Sequence, residues 1–472
     1  MKSINTLTIV LLSVLIVGVT SAQEDDHHQP NIIFIFADDW GYGDLSLHGN
    51  TWLETPNLDK MASEGTDFLY FTVNSPVCSP SRAAVMSGQF PARNSIHRHF
   101  DSIDKNALRG MPDWLDPSIP MLPRLLQDAG YKTGHFGKWH LGGGPGAPTE
   151  DAYGYDEYAT FNGSATSKIK PQGLASVDHT VDFIKRHKDE TFFVNLWLHE
   201  THLPHFPLNK YLEQFEDLDE QRQVYASVIA EGDEGVGRVL KLLKELGIDQ
   251  NTLVIFSSDN GPENTRGKSA WYHNGRVRDT QNDMTGLGGY FSVGETAGMK
   301  GQKRSLYSGG VRVPFIVRWP GVVPQGNVDR TSVITAVDLL PTFLEVAGVE
   351  LPESFHPDGE SVLSALQGRR FEREKPIFWE WKGPKKHSFD KSSKQYNWPH
   401  LGIRQGRWKL MTNLQLQRTE LYDLVGDWAE AKDVSSDRPQ IVQELLAKLE
   451  RWKSTLPLEP AKSTLSKARK QR

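Results

Sequence analysis

One cysteine, Cys78, is all that the 472 residues contain. A single thiol excludes an intramolecular disulfide. Standing so far downstream, it also excludes a lipid-bearing cysteine just behind an N-terminal processing site. Beyond residue 22 no apolar run is long enough to cross a bilayer. Basic charge is not in excess either: the net charge is −6, which supplies no global positive field to hold nucleic acid. Internal repeats and low-complexity stretches are missing too. What remains is a chain long enough for one large α/β domain and a smaller companion.

The N-terminus carries Lys2, an apolar run over 9–19 and the small residues Thr20-Ser21-Ala22. This pattern predicts a signal peptide over 1–22, because the apolar core is too short for a span and ends in a cleavage site. The expectation is an exported protein, periplasmic or secreted, that is not membrane-anchored. A lone free thiol is unusual there. The bland role for Cys78 is a small buried hydrophobe. Its neighbours suggest more: Cys78-Ser79-Pro80-Ser81-Arg82 runs into Ala-Ala-Val-Met. That puts a nucleophile at a helix N-terminus, where backbone N–H groups and the dipole favour an anion. Arg82 adds a fixed cation one turn on.

Asn31-Ile32-Ile33-Phe34-Ile35-Phe36-Ala37 reads as a strand buried on both faces, ending in Asp38-Asp39-Trp40-Gly41. A helix begins at Pro56 and stops before Gly65. A strand over 68–73 then delivers the Cys78 loop. A helix over 121–129 precedes a strand over 131–136, which runs into Gly137-Lys138-Trp139-His140. Helices over 177–187 and 225–246 alternate with strands over 192–198 and 253–257. These strands end in His199-Glu200-Thr201-His202 and Ser258-Asp259-Asn260-Gly261. Such alternation predicts an α/β fold with a mostly parallel central sheet flanked by helices. Each polar cluster falls at the C-terminal end of a strand, where open α/β sheets place their sites.

From residue 371 the texture changes. Short strands over 376–381, 402–411 and 420–424, then a helix over 440–454, predict a smaller C-terminal antiparallel sheet plus helix. The expected division is 23–370 for the catalytic domain and 371–472 for the C-terminal subdomain. Residues 261–300 form a long, Gly-rich polar stretch of the kind that makes lids or binding loops. The basic tail over 462–472 reads as a solvated, frayed end.

Asp38-Asp39 alone suits a turn or a cap. Together with Asp259-Asn260 it offers hard oxygen ligands for Ca²⁺ or Mg²⁺, and carboxylates crowded together without a cation would repel. Lys138-x-His140 means little by itself. The segment from His199 to Pro207 could pass for a metal cluster, but its prolines argue against one ligand-bearing helix. Taken together, Asp38-Asp39, Cys78-x-Pro-x-Arg82, Gly137-Lys138-Trp139-His140, Asp259-Asn260-Gly261 and Lys303 ahead of Gly309-Gly310 resemble the type I (formylglycine-dependent) sulfatases. These belong to the alkaline-phosphatase-like superfamily. The resemblance runs from about Asn31 to Leu424, and its texture is nearest the bacterial polysaccharide sulfatases related to N-acetylgalactosamine-6-sulfatase.

The resemblance implies that Cys78 is converted to formylglycine (3-oxoalanine) by a formylglycine-generating or anaerobic sulfatase-maturating enzyme. It implies one Ca²⁺ surrounded by Asp38, Asp39, Asp259, Asn260 and the modified Cys78. Arg82, Lys138 and Lys303 would hold the sulfuryl oxygens, and His140 would act on the hydrated aldehyde. Both His202 and His205 fit the family's His-x-Pro pattern. Counted from Phe192-Phe193, His202 is the better match for general acid, which leaves His205 as a substrate-contact candidate. Hydrolysis would pass through a covalent sulfo-enzyme intermediate. Ser308 stands where the family commonly has Glu, which reads as a local packing change. Candidate selectivity residues toward a sulfated carbohydrate (ulvan, carrageenan or glycosaminoglycan) are Arg98, His99, Trp271, Lys385-Lys386-His387, Trp398 and His400. Two rival readings stay open: a phosphate or phosphonate ester hydrolase on the same fold, and an inactive carbohydrate-binding relative. Every reactive position is filled, which speaks against the second.

Overall fold

A computed structural model describes residues 29–163, 169–265, 276–279, 284–382, 396 and 398–469. The expected signal peptide, Trp271 and Lys385-Lys386-His387 lie outside the described residues.

Strand β1 (Asn31–Ala37) is buried along its whole length, which is why its run is apolar without alternation. It lies inside an eight-stranded sheet. The other members, in chain order, are β2 (Thr66–Phe68), β3 (Lys132–Lys138), β4 (Glu157–Phe161), β5 (Phe192–Trp197), β6 (Thr252–Ser258), β7 (Phe315–Arg318) and β8 (Asn327–Asp329). Their spatial order is β8-β2-β7-β6-β1-β5-β3-β4. Only β7 opposes its neighbours; all other pairings are parallel. Alternate residues of β1 feed two cores. Ile32, Phe34 and Phe36 pack with helices Cys78–Ser87, Leu122–Asp128 and Leu339–Val346. Ile33 and Ile35 pack with helices Pro56–Ser63, Ala175–Arg186 and Glu220–Glu245. The mostly parallel, helix-flanked sheet is the one expected.

Several local expectations need correcting. The strand read over 68–73 is broken: β2 stops at Phe68, and after a turn Phe71–Thr72 pairs instead with Ile334–Thr335. That turn frees the chain from the sheet so that it can reach Cys78. Strands β4 and β7 were not anticipated. β4 begins half-buried at the sheet edge, where the hydrophobic pattern is weakest. The 261–300 stretch is not loop throughout, since it holds an antiparallel ribbon of Arg276–Asp279 and Met284–Leu287. Leu287 in turn exchanges backbone hydrogen bonds with His205 at 2.9 and 2.8 Å.

The C-terminal sheet has strands β9 (Ile377–Glu380), β10 (Leu401–Gln405), β11 (Trp408–Thr412) and β12 (Thr419–Asp423), paired antiparallel in sequence order. The stretch over 402–411 is thus a hairpin, reversing near Gly406. Helix Pro439–Ser454 covers this sheet, with Trp452 stacked on Phe378 at 4.7 Å. The sheet shares one hydrophobic cluster with the helix Cys78–Ser87 side of the main sheet. Where Ser308 stands, its backbone N–H donates to Glu430, and Glu430 also pairs with Lys409 at 2.7 Å. The C-terminal region therefore places a buried carboxylate beside Ser308. The basic tail does not fray up to residue 469. Arg469 Nε donates to Asp113 at 2.7 Å, and Thr464 and Ser466 are buried.

Candidate active site

Six chain segments meet at the site: the C-terminal tips of β1, β3, β5 and β6, the start of helix Cys78–Ser87, and Lys303. Asp38 and Asp39 follow β1 directly. Asp39 has φ of 65°, a left-handed conformation uncommon for a residue with a Cβ. In that conformation its N–H donates to Asp259 Oδ1 at 3.2 Å, and its Oδ1 accepts from Asn260 Nδ2 at 2.6 Å. In β3, Gly137 has φ of 115°, and a Cβ there would lie 1.9 Å from Trp197 O. Only glycine lets β3 approach β5 this closely. The next residue, Lys138, reaches Asp38 Oδ2 at 2.5 Å and Cys78 Sγ at 3.5 Å. Cys78 opens helix Cys78–Ser87, all of whose residues are buried. Lys303 Nζ donates to Asp39 Oδ2.

Arg82 makes its side-chain hydrogen bonds to Asp259, while its Nη1 is buried without a hydrogen-bond partner and Cys78 is among the groups that act on its charge. Its Nε and Nη2 both donate to Asp259 Oδ2, at 3.0 and 2.6 Å, and Nη2 stands 3.7 Å from Asp38 Oδ1. The guanidinium lies 4.8 Å from the Trp197 ring centroid. Arg82 therefore clamps the β6 tip to the helix and balances two carboxylates, as a planar donor fork can.

Three carboxylates and three fixed cations share the pocket floor. Burial alone would raise the Asp38 carboxyl, but His202, Lys138, His199 and Arg82 outweigh it and hold it well below the usual carboxylate range. Burial prevails at Asp39, which is raised despite Lys303. Burial pushes Asp259 up to about 7 against the pull of Arg82. Desolvation opposes the charge on Lys138, yet Asp38 and the other negative groups keep it raised. Burial pushes the Cys78 thiol up to about 12.

The histidines divide by position. His202 is the more exposed, at 21% of its side chain, with Nε2 4.0 Å from Asp39 Oδ2. Its Nδ1–H donates to Leu203 O at 2.6 Å, which in the neutral ring leaves Nε2 as the acceptor. His140 does not share the strand's two-residue alternation, because β3 ends at Lys138 and His140 has φ of 53°. Its Nε2–H donates to Phe100 O at 3.1 Å, while its Nδ1 is buried without a hydrogen-bond partner. Burial, then Lys138, push this ring down to about 3, so it is neutral. His205 is fully buried, with Nε2 2.9 Å from Ser292 Oγ. It therefore has no surface to offer a substrate and serves to tie the ribbon segment to the pocket. Two members of the strand-end cluster to which the sequence assigns no role contribute here: His199 Nδ1 lies 3.3 Å from Asp38 Oδ2, and Thr201 donates to Asp38 O. Their place directly after β5 was the available signal.

Arg98 and His99 sit at the rim. The Arg98 guanidinium lies 5.7 Å from the Trp381 ring, and the His99 ring 6.3 Å from that of His140. Trp398 and His400 are engaged elsewhere, with Tyr307 and with the backbone of Trp381.

A hard divalent cation fits this donor set. Asp38 Oδ1 and Asn260 Oδ1 are buried without hydrogen-bond partners, a costly state unless something else satisfies them. Donor atoms of Asp38, Asp39, Cys78 and His202 lie within 4.8 Å of one another. Asp259 stands outside that tightest group, its carboxylate held by Arg82.

The sulfatase family model matches residues 30–349, and the N-sulphoglucosamine sulphohydrolase C-terminal model matches 299–455. N-acetylgalactosamine-6-sulfatase of Sus scrofa is 33% identical over 410 residues, covering 79% of this chain and 71% of its own. N-acetylgalactosamine-6-O-sulfatase of Bacteroides thetaiotaomicron is 25% identical, covering 96% of this chain and all of its own. Among solved structures, Ps i-CgsB in complex with k-i-k-neocarrahexaose superposes with a TM-score of 0.72 at 26% identity, covering 90% of this chain and 92% of that one. With the strand-tip carboxylates, the lysines and Cys78 gathered in one pocket under these matches, the chain belongs to the sulfatase family and is a sulfuric ester hydrolase.

Proposed function

We propose that this enzyme is an exported, formylglycine-dependent sulfatase that removes sulfate from a polysaccharide or glycosaminoglycan. The observation that carries the reading is the pair of unsatisfied buried oxygens, Asp38 Oδ1 and Asn260 Oδ1, beside Cys78 and inside a ring of Arg82, Lys138 and Lys303. Three carboxylates against three cations leave the floor near neutral. Asp38, Asp39, Asn260, the side chain at 78 and Asp259 would hold a Ca²⁺, which would supply the positive charge that complements a sulfate monoanion. The polysaccharide assignment draws on the carrageenan oligosaccharide bound to Ps i-CgsB and on the sulfatase of Bacteroides thetaiotaomicron. Export draws on the residue pattern over 1–22, and no helix among the described residues is long and apolar enough to cross a membrane.

The chain's own groups divide the chemistry. Lys138 and Lys303 point their ammonium groups at the same pocket as Cys78, where they stabilise the sulfuryl oxygens as charge develops. Arg82 fixes Asp259 and Asp38. The neutral His140, with its bare and buried Nδ1, accepts a proton from the group at position 78. Burial holds the His202 ring neutral with Nε2 bare. His202, at the open side of the pocket, must therefore first take up a proton at Nε2 before it can pass one to the departing sugar oxygen, and Lys303, an ammonium, is the proton carrier close by. A formylglycine hydrate at 78 supplies two geminal hydroxyls, one to attack sulfur and one to drive sulfate release. The thiol itself is a poor substitute, because burial keeps it protonated against the pull of Lys138 and it offers no second hydroxyl to expel sulfate.

Intact mass of the enzyme expressed with a maturation enzyme tests the assignment. Position 78 should be about 18 Da lighter than the thiol form, the difference between CH₂SH and CHO. Active enzyme retaining a full thiol at 78 would refute it.

A further inference from the structure

The pocket floor balances its charges, but the rim does not. Arg98 forms no hydrogen bond or ion pair among the described residues, and its Nε is buried without a partner. Its neighbours are cations. Burial, then Arg109 and Arg304, hold the Arg98 guanidinium down to about 10, with Asp101 the acid that faces it. Those two arginines have acids of their own: Arg109 pairs with Asp101 at 3.0 Å, and Arg304 pairs with Glu263. Arg98 alone is left uncompensated.

Its position is built and not incidental. The segment that carries it is pinned at both ends. His97 Nδ1 lies 2.5 Å from Glu380 Oε1 of the C-terminal sheet, and Phe100 N–H donates to Ser79 Oγ at 2.9 Å, one residue from Cys78. Arg304 N–H donates to Pro76 O at 2.9 Å on the other side of the same loop. Trp381 lies under the guanidinium and fixes its plane. A partly buried cation with an unpartnered Nε, next to His99 and through it to His140 of the pocket, is chemically suited to hold a second anion.

Accepting the sulfatase reading, we propose that Arg98 binds a second anionic group of the substrate, a sulfate or a carboxylate on or next to the sugar that bears the scissile ester. Preferred substrates are then polyanionic saccharides. Selection comes from the junction of the Cys78 loop with the C-terminal sheet.

The test compares kcat/KM of the mature enzyme on p-nitrophenyl sulfate and on three disaccharides: one neutral and monosulfated, one neutral and disulfated, one monosulfated with a uronate. Wild type should prefer a substrate with a second anion. Arg98→Gln should erase that preference, lowering kcat/KM for the polyanionic substrate by roughly tenfold to a hundredfold more than for the neutral monosulfated one. Arg98→Lys should restore part of it. Loss confined to the disulfated sugar identifies sulfate as the second group, and loss confined to the uronate identifies carboxylate. A variant that leaves the ratio between substrates unmoved, or a wild type that cleaves the neutral monosulfated sugar as well as the others, overturns the subsite while leaving the sulfatase reading intact. Wild-type enzyme inert to all four compounds would remove both.

Discussion

Asp38 and Glu231 are both almost fully buried, at 0% and 2% exposure, yet their carboxyls fare in opposite ways. Burial pushes Glu231 up to about 8, and the neighbouring Glu200 reinforces the shift against the weaker pull of Lys210 and of a backbone hydrogen bond from Gly173. Asp38 faces His202, Lys138, His199 and Arg82, and it stays ionised. The desolvation cost is of one kind in both places. What differs is whether cations were built around the group. A buried carboxyl stays charged where cations are packed around it, as they are at Asp38 and, with Lys409, at Glu430; Glu231, without such a partner, goes neutral.

That comparison can be broken first at Arg82, where the largest effect is expected. Arg82→Ala strands Asp259 in the interior without its 2.6 Å partner. Stability should fall by about 3–5 kcal/mol, read as a shift of the urea midpoint at constant slope. A loss under about 1 kcal/mol would mean the pair is solvated. Lys138→Ala comes next. The fold should survive by circular dichroism, while kcat drops roughly a hundredfold or more, as loss of one electrostatic stabiliser does. Turnover close to wild type would take Lys138 out of the reacting set.

The smallest effect lies on the other side of the comparison. Because Glu231 keeps its proton in the folded state up to about 8, folding binds a proton that the unfolded chain has already released. Stability therefore declines as pH rises from the model-peptide carboxyl range through about 8. Glu231→Gln cannot ionise, so its Tm should fall less than that of wild type between about pH 5 and about pH 8. Parallel Tm profiles for the two proteins would show that Glu231 is already charged in the fold.

Much of the site was legible because it sits at strand ends, and strand ends are marked by abrupt switches from apolar to polar residues. Asp38-Asp39 after Ala37, Lys138 after Phe136-Gly137 and Asp259-Asn260 after Ser258 all follow that rule, and all converge. The partners within the site were not legible. One-turn spacing placed Arg82 beside Cys78, but the hydrogen bonds of its long side chain to Asp259 could not be read there. The His-x-Pro pattern fits both His202 and His205, and counting from Phe192-Phe193 favours His202. That His205 lies in the interior was not legible, because its backbone pairing with Leu287 spans a sequence distance that no local pattern carries. β4 and β7 escaped for a similar reason. A short strand at a sheet edge, or one inserted antiparallel, is specified by its neighbours.

From its residues alone, this chain declared an α/β sheet and polar clusters at its strand ends, which are matters of local periodicity and residue type. The reading of those clusters as groups for a sulfate ester came from their resemblance to a family. Tertiary structure alone decided which charges neutralise each other and which, like Arg98, are left open toward a ligand. Such balances arise between groups brought together from distant parts of the chain, in an interior where water no longer screens them.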